Sequence, residues 1–182
     1  MEKSIGVVEF RSIAVGISAV DRIVKASDVR IVDAKTICPG KYYIIFAGLV
    51  SAVKNSINVA EEESGPFIID SVVIPNVYPQ LFAGLNGTSE IRQPQSIGII
   101  ETLSAPSIIW AADAAVKATD IDIVEVRIAR ALGGKNICVI NGVLSDVKES
   151  VRAGIVYPEE KGFLVDHQVI AAPHSDLYRA VM

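Results

Sequence analysis

The chain has 182 residues, of which 51% are hydrophobic and only 21% are charged, and its mean hydropathy is +0.42. This composition excludes a disordered chain, and the length predicts one domain or two small ones. A small domain buries only part of its surface by itself, so the apolar excess indicates burial against other copies. The net charge of -4 argues against a nucleic-acid partner.

Along the first half, short β-branched runs predict strands, and apolar residues at helical spacing predict helices. In chain order these are a strand at 5–10, a helix at 13–26, a strand at 29–35, a loop at 36–41, a strand at 42–47, a helix at 49–60, a strand at 67–74 and a short helix near 80–85. The order β-α-β-β-α-β is that of the ferredoxin-like fold, which belongs to the α+β class.

The second half of the chain repeats the first. Residues 4–12 (SIGVVEFRS) match residues 96–104 (SIGIIETLS) at an offset of 92, which is 96 minus 4. The offset grows to 94 after a two-residue insertion and reaches 96 near the end of each half. We therefore expect two tandem domains, 1–88 and 95–182, joined by the polar segment 86–95. Counterparts at these offsets include Asp21 and Asp113, Lys25 and Lys117, Gly40 and Gly134, and Asp70 and Asp166.

The sequence also argues against membrane insertion and secretion. The longest stretch without Asp, Glu, Lys or Arg, residues 71–89, contains Pro75 and Pro79 and is therefore no regular bilayer-spanning helix. The first residues lack the basic and then apolar pattern of a secretory signal. Cys38 and Cys138 are too few for a disulfide scaffold and fit a reducing cytoplasm.

The repeated motifs resemble the bacterial microcompartment shell domain, in its unpermuted element order. They are SIGVVE, AVDRIVKAS, GK and AGLVSAVKNSI in the first half, and SIGIIE, AADAAVKAT, GGK and NGVLSDVKESV in the second. The resemblance covers essentially the whole chain. It implies a flat hexagonal tile with a central pore, located in the shell of a cytoplasmic organelle beside other shell proteins. Because each chain carries two domains, the implied assembly is a homotrimer with a pseudohexameric outline.

The resemblance also implies a cofactor, because a tandem member of the family carries an iron–sulfur cluster in its pore. The segment KTICPGK places Cys38 in the loop that faces the pore in a shell domain. One thiol cannot hold a cluster, whereas three symmetric thiols can hold three irons of one [4Fe–4S] cluster per trimer. Nearby N–H groups and Lys41 are expected to stabilise the thiolates. The pore-loop residues beside Cys38 are Pro39, Gly40, Lys41, Gly133, Gly134 and Lys135.

Such a cluster implies electron transfer across the shell to a lumenal or cytosolic redox partner.

The alternatives for Cys38 are a loop residue without a ligand, a zinc site shared by three chains and a disulfide, which an odd number of thiols disfavours. The second loop reads RALGGK and lacks cysteine, with Arg130 or Leu132 as the positional counterpart. The site is therefore expected to have threefold symmetry.

Other candidate residues have simpler interpretations. Lys25 and Lys117 follow the first helix of each repeat, where a lysine favours the helix dipole. The resemblance places this lysine at the tile edge. Cys138 is predicted to be a buried small hydrophobe, and His167 and His174 to be surface or packing residues.

No catalytic constellation is visible, so an enzyme is not expected. Two rival functions remain open from the sequence. One is a cluster-free shell tile with a small-metabolite pore, and the other is a ferredoxin-like regulatory module that binds a ligand.

Overall fold

The computed structural model describes residues 4–181. The first repeat has the predicted element order, with one additional 3₁₀ turn before its last strand. Its elements are β1 (Ser4–Phe10), α1 (Ile13–Ala26), β2 (Val29–Ile37), β3 (Lys41–Gly48), α2 (Val50–Ser64), the 3₁₀ turn (Gly65–Phe67), β4 (Ile68–Ile74) and α3 (Gln80–Asn86).

The second repeat has the same order of strands and helices. Its elements are β5 (Ser96–Thr102), α4 (Ala105–Ala118), β6 (Asp122–Ile128), β7 (Asn136–Gly142), α5 (Leu144–Glu160), β8 (Leu164–Ile170) and α6 (Ser175–Val181). In the described part of the chain, no helix combines the length and the apolar character needed to cross a bilayer.

Each repeat forms its own four-stranded antiparallel sheet. The strand orders are β2-β3-β1-β4 and β6-β7-β5-β8. This is the arrangement of the ferredoxin-like fold, so the predicted α+β class and unpermuted order are confirmed. The registers are also equivalent, because Glu9 lies opposite Asp70 in the first sheet and Glu101 lies opposite Asp166 in the second.

The two insertions that change the repeat offset fall at defined places. Between Thr36 and Tyr42, which pair across β2 and β3, there are five residues, whereas seven residues separate Ile128 from Asn136. The second insertion lengthens a helix, since α5 has 17 residues and α2 has 15. The first insertion therefore changes a loop and the second adds to a helix.

The predicted loop at 36–41 is longer than the one observed. The β2–β3 ladder continues through the pair Ile37 and Lys41, so only the turn at 38–40 remains outside it. The alternating pattern that predicted β2 is interrupted by a bulge between Ile31 and Asp33. A bulge adds one residue to one strand and shifts the side chains that follow it. The second sheet has the same irregularity between Ile123 and Glu125.

The core of the first repeat lies between its sheet and its two long helices. Side chains from β1, β3, α1 and α2 form one buried cluster: Val8, Phe10, Ala19, Ile23, Tyr42, Ile44, Phe46, Val53, Ile57 and Ala60. The Tyr42 ring packs over Gly16 of α1, where an added Cβ would lie only 2.6 Å from Tyr42 Cδ1. The counterparts of Gly16 and Tyr42 at offsets 92 and 94 are Ile108 and Asn136. The large side chain of the pair is therefore on the strand in the first repeat and on the helix in the second.

The chain divides into two compact units whose boundaries differ from those of the repeats. Unit 1 contains residues up to Val77 together with the segments Ser104–Pro106 and Ala129–Gly134. Unit 2 contains Tyr78–Leu103 and the remaining residues. Short segments of the second repeat therefore belong to the unit built mainly from the first repeat.

The predicted polar linker has no regular structure after α3, and ion pairs hold it within unit 2. Arg92 lies 2.7 Å from Asp122, through Nε and Oδ1, and 2.9 Å from Asp120. The same guanidinium lowers the pKa of the Asp120 carboxyl. Asn141 fixes the end of the segment by accepting a 2.9 Å hydrogen bond from the Gln95 amide.

Candidate functional site

Cys38 lies in the tight turn between β2 and β3, within unit 1. The residue is half-buried and its thiol forms no disulfide. Gly40 completes the turn with φ of +78°, a left-handed conformation that glycine adopts without steric cost. The position of a Cβ on Gly40 has no neighbouring atom within 4 Å, so the space beside the turn is open.

The loop between β6 and β7 packs against this turn, also within unit 1. The Cys38 amide donates a 2.9 Å hydrogen bond to the Ala129 carbonyl. Gly134, with φ of +88°, lies so close that an added Cβ would be 2.9 Å from Pro39 Cδ. The structure therefore brings Cys38 and Pro39 together with the glycine loop that the sequence identified.

The backbone of the second loop is unusual at four positions. Ala129 and Ala131 have positive φ angles of 28° and 58°, and Gly133 and Gly134 have 61° and 88°. Left-handed conformations cost an alanine about 1 kcal/mol or more, whereas glycine adopts them freely. The loop thus holds a conformation that its own sequence only partly favours, and the hydrogen bond from Cys38 is one contact that supports it.

Lys41 was expected to stabilise the Cys38 thiolate, but in the structure it forms an ion pair with Glu9. Its ammonium lies 2.8 Å from Glu9 Oε1, and the Glu9 side chain has no exposed surface. The second oxygen of Glu9 accepts a 2.7 Å hydrogen bond from the Ala105 amide. Burial raises the pKa of Glu9, although Lys41 and the Ala105 amide act in the opposite direction. The charge of Lys41 is therefore neutralised by a buried carboxylate, and this contact gives no support to stabilisation of a thiolate.

The equivalent pair in the second repeat is more exposed. Lys135 lies 3.0 Å from Glu101, with 49% and 30% of the two side chains accessible, against 18% and 0% for Lys41 and Glu9. The sequence identified both lysines but missed Glu9. Its signal was present, because the glutamate recurs at the same position of both repeats.

The two lysines predicted at the tile edge occupy equivalent places. Lys25 and Lys117 each lie in the last turn of the first helix of a repeat. Each pairs with the aspartate one turn earlier, Asp21 at 2.7 Å and Asp113 at hydrogen-bonding distance. The edge role itself stays a prediction.

The remaining candidates lie apart from this site or are buried. Cys138 on β7 is 1% exposed, and burial raises its pKa to about 12, so its prediction as a small core residue is confirmed. His167 and His174 are exposed, in agreement with a surface role. Within residues 4–181, no three His, Cys, Asp or Glu side chains are placed to share a metal ion.

Comparison with known proteins agrees with this architecture. The model of the BMC domain matches twice, over residues 4–77 and 96–173. The chain therefore belongs to the BMC-domain family of bacterial microcompartment shell proteins. It is a structural shell component and not an enzyme.

Individual relatives resemble the chain over its whole length. It is 37% identical to the bacterial microcompartment shell protein PduT of Citrobacter freundii, over 100% of this chain and 99% of that protein. A crystal structure of a microcompartment protein from Desulfitobacterium hafniense DCB is 40% identical, has a TM-score of 0.84 and is matched over 98% of this chain and 99% of that one. The fused permuted hexameric shell protein MSM0275 shares the fold with a TM-score of 0.65 at 18% identity, over 87% and 84% of the two chains.

Proposed function

We propose that three copies of this chain form a homotrimeric, pseudohexameric shell tile with one [4Fe–4S] cluster in its central pore. Cys38 from each chain supplies one ligand. The observation that carries the proposal is the free, half-buried thiol on a tight turn beside open space. The tile associates with other shell proteins of the microcompartment, and Lys25 and Lys117 lie at its edges.

The donor chemistry at Cys38 fits this cofactor. Iron–sulfur clusters are held by thiolates, and a half-buried thiol outside any disulfide is available as one. Because one chain offers no set of three metal-binding side chains among residues 4–181, the other ligands have to come from further copies. Three symmetric thiols match three irons, and the fourth iron takes water or a non-protein ligand.

The second loop supports a threefold site. It has no cysteine, so the six loops of a trimer contribute three thiols and not six. The structure assigns neither Arg130 nor Leu132 as a strict counterpart of Cys38, because the two-residue insertion falls inside this loop. The role of the second loop is instead to hold the Cys38 turn through Ala129 and Gly134.

A bound cluster would exchange single electrons, which gives the tile a route for electron transfer across the shell to a lumenal or cytosolic redox partner. The chain's own contribution is to present the thiol and to fix its turn. Lys41 is paired with Glu9 and is therefore not assigned to the cluster.

The test is the iron and acid-labile sulfide content of protein purified without oxygen, together with the EPR spectrum after reduction. We expect about one cluster per three chains in the wild-type protein and in Cys138→Ser. Cys38→Ser should form the same trimer and lose both iron and the EPR signal.

Two results would contradict the proposal. Full iron content in Cys38→Ser would remove the ligand assignment. Absence of iron and sulfide from an anaerobic wild-type trimer would leave a cluster-free tile with a small-metabolite pore.

A further inference from the structure

The start of helix α4 is held by two carboxylates of the first repeat, within unit 1. The Ala105 amide donates to Glu9 Oε2 at 2.7 Å, and the Ser104 hydroxyl donates to Asp70. Carboxylates are favoured at a helix N-terminus, where N–H groups lack partners inside the helix. We call Glu9, Lys41 and Asp70 the closed carboxylate site.

The second repeat carries the same three residue types at the counterpart positions. Glu101, Lys135 and Asp166 lie at offsets 92, 94 and 96, and Glu101 faces Asp166 across the same pair of strands. Glu101 is 30% exposed and Asp166 is also exposed, whereas Glu9 is fully buried. We call these three residues the open carboxylate site, because Glu101 and Asp166 are more exposed than their counterparts and no helix-start N–H group among residues 4–181 donates to them.

The helix start that would match the open carboxylate site is that of α1. Ser12 and Ile13 are the counterparts of Ser104 and Ala105 at offset 92. Ser104 and Ala105 are completely buried, whereas Ser12 and Ile13 are only half-buried.

The outer face of α1 shows the same difference from α4. Ile17 and Val24 of α1 are 56% and 40% exposed, whereas their counterparts Ile109 and Val116 are 0% and 6% exposed. A contiguous exposed apolar patch typically marks a surface that another protein covers, and Ile17 and Val24 lie on one face of α1, seven residues apart.

A third contact, to Asp113 in the second half of α4, shows the same difference between the repeats. In unit 2 the Tyr78 amide donates to Asp113 Oδ1 at 2.8 Å, and Asp113 is buried. The counterpart residues are His174 and Asp21, and both are exposed. Each of these three contacts to the start or body of α4 thus has counterparts that are more exposed than the contact residues themselves.

We propose that the open carboxylate site of one copy binds the start of α1 of a second copy. Glu101 accepts from the amide of Ile13 and Asp166 accepts from the hydroxyl of Ser12. The His174 amide donates to Asp21 of that second copy. The contact is head-to-tail, and repetition around three copies closes the ring. This inference rests on the trimer of the proposed function and names the residues that join it.

Paired cysteines test the contact. Ser12→Cys with Asp166→Cys should give disulfide-linked dimers and trimers on a non-reducing denaturing gel. Each single variant should remain monomeric there. Asp70→Cys with Ser104→Cys is the matched control, because that pair should link within one chain and leave a monomer with altered mobility.

The outcomes separate this inference from the proposed function. If sedimentation shows a trimer, and the control pair links while Ser12 and Asp166 do not, the contact is wrong and the trimer stands. If sedimentation shows a monomer at all concentrations, both the contact and the trimeric tile are wrong. Iron content is measured separately and bears only on the cluster.

A more conservative substitution keeps the proposal testable if the cysteine variants misfold. Glu101→Gln should raise the dissociation constant of the trimer roughly tenfold to a hundredfold, because a charged acceptor is lost at a buried contact. Glu149→Gln, on the exposed face of α5, should leave the dissociation constant unchanged. Equal dissociation constants for the two variants and the wild type would overturn the proposal.

Discussion

The Lys41 ammonium lies 2.8 Å from the carboxylate of Glu9, which has no exposed surface. Lys41→Met should destabilise the protein by about 3–5 kcal/mol near pH 8, because a buried carboxylate is left without its cation. Lys25→Met is the control, because Lys25 and Asp21 form an exposed pair worth at most about 1 kcal/mol. Urea unfolding of the two variants measures the difference.

The destabilisation caused by Lys41→Met should depend on pH in a definite direction. Burial already raises the pKa of Glu9 above 4.5, and removing Lys41 raises it further. The folded variant then binds a proton more readily than the unfolded chain, so its stability falls as pH rises from 4.5 through the raised pKa. We expect the penalty of Lys41→Met to shrink toward pH 4.5. An equal penalty at both pH values would contradict a charged Glu9 as its cause.

The two cysteines should differ sharply toward thiol reagents. Cys138 is 1% exposed, and burial raises its pKa to about 12, so it remains a protected thiol at pH 8. Cys38 is half-buried on a turn. In apoprotein, a chromogenic disulfide reagent should titrate one thiol per chain in the native state and two in denaturant. Native Cys38→Ala should then titrate none, and rapid reaction of a thiol in that variant would contradict the burial of Cys138.

The pattern of elements was accessible from the sequence because it depends on local periodicity and on the internal repeat. The helix at 13–26 was predicted with the observed bounds, and the ferredoxin-like order followed from its neighbours. The partner of Lys41 was not accessible, since Glu9 lies on a different strand and its burial involves the distant Ala105. The repeated glutamates look equivalent in sequence, yet only the fold makes one fully buried and the other partly exposed.

The candidate site could also be predicted only in part from the sequence. Cys38 and the glycines could be identified from their loop, because turn chemistry is local. The hydrogen bond from Cys38 to Ala129 could not, since it joins residues 91 positions apart, 129 minus 38, through backbone atoms that carry no side-chain signature. The bulges after Ile31 and Ile123 were also hidden, because they depend on the neighbouring strand.

Gly16 should tolerate no side chain while Tyr42 is present. A Cβ at this position would lie 2.6 Å from Tyr42 Cδ1, so Gly16→Ala should destabilise the protein by about 1–3 kcal/mol, despite the better helix propensity of alanine. Gly65→Ala is the control, because nothing lies within 4 Å of its Cβ position and its backbone is right-handed.

A double-mutant cycle identifies the cause of that loss. Tyr42→Ala removes the ring atoms Cδ1 and Cγ, which lie 2.6 and 2.8 Å from the added Cβ, and leaves only Cβ at 2.7 Å. Adding Gly16→Ala to Tyr42→Ala should therefore cost less than Gly16→Ala alone. We expect a coupling of about 0.5–3 kcal/mol between the two positions by urea unfolding. Strict additivity would show that the ring is not what excludes the methyl group.

The two glycines of the second loop provide a matched test of how the Cys38 turn is held. Both have left-handed φ angles, so either alanine substitution should cost about 1 kcal/mol in backbone strain. Only at Gly134 does the new Cβ also meet Pro39, at 2.9 Å, whereas the position on Gly133 is open. Gly134→Ala should therefore displace the turn that carries Cys38, and Gly133→Ala should not.

The measurements are the alkylation rate of Cys38 in apoprotein and the iron content of protein purified without oxygen. Gly134→Ala should change the alkylation rate several-fold and lower the iron per trimer, because all three thiols are then displaced from the positions in which they bind one cluster. Gly133→Ala should match the wild type in both measurements, although backbone strain lowers its thermodynamic stability by about 1 kcal/mol. If the two variants behave alike, contact between Gly134 and Pro39 does not position the thiol.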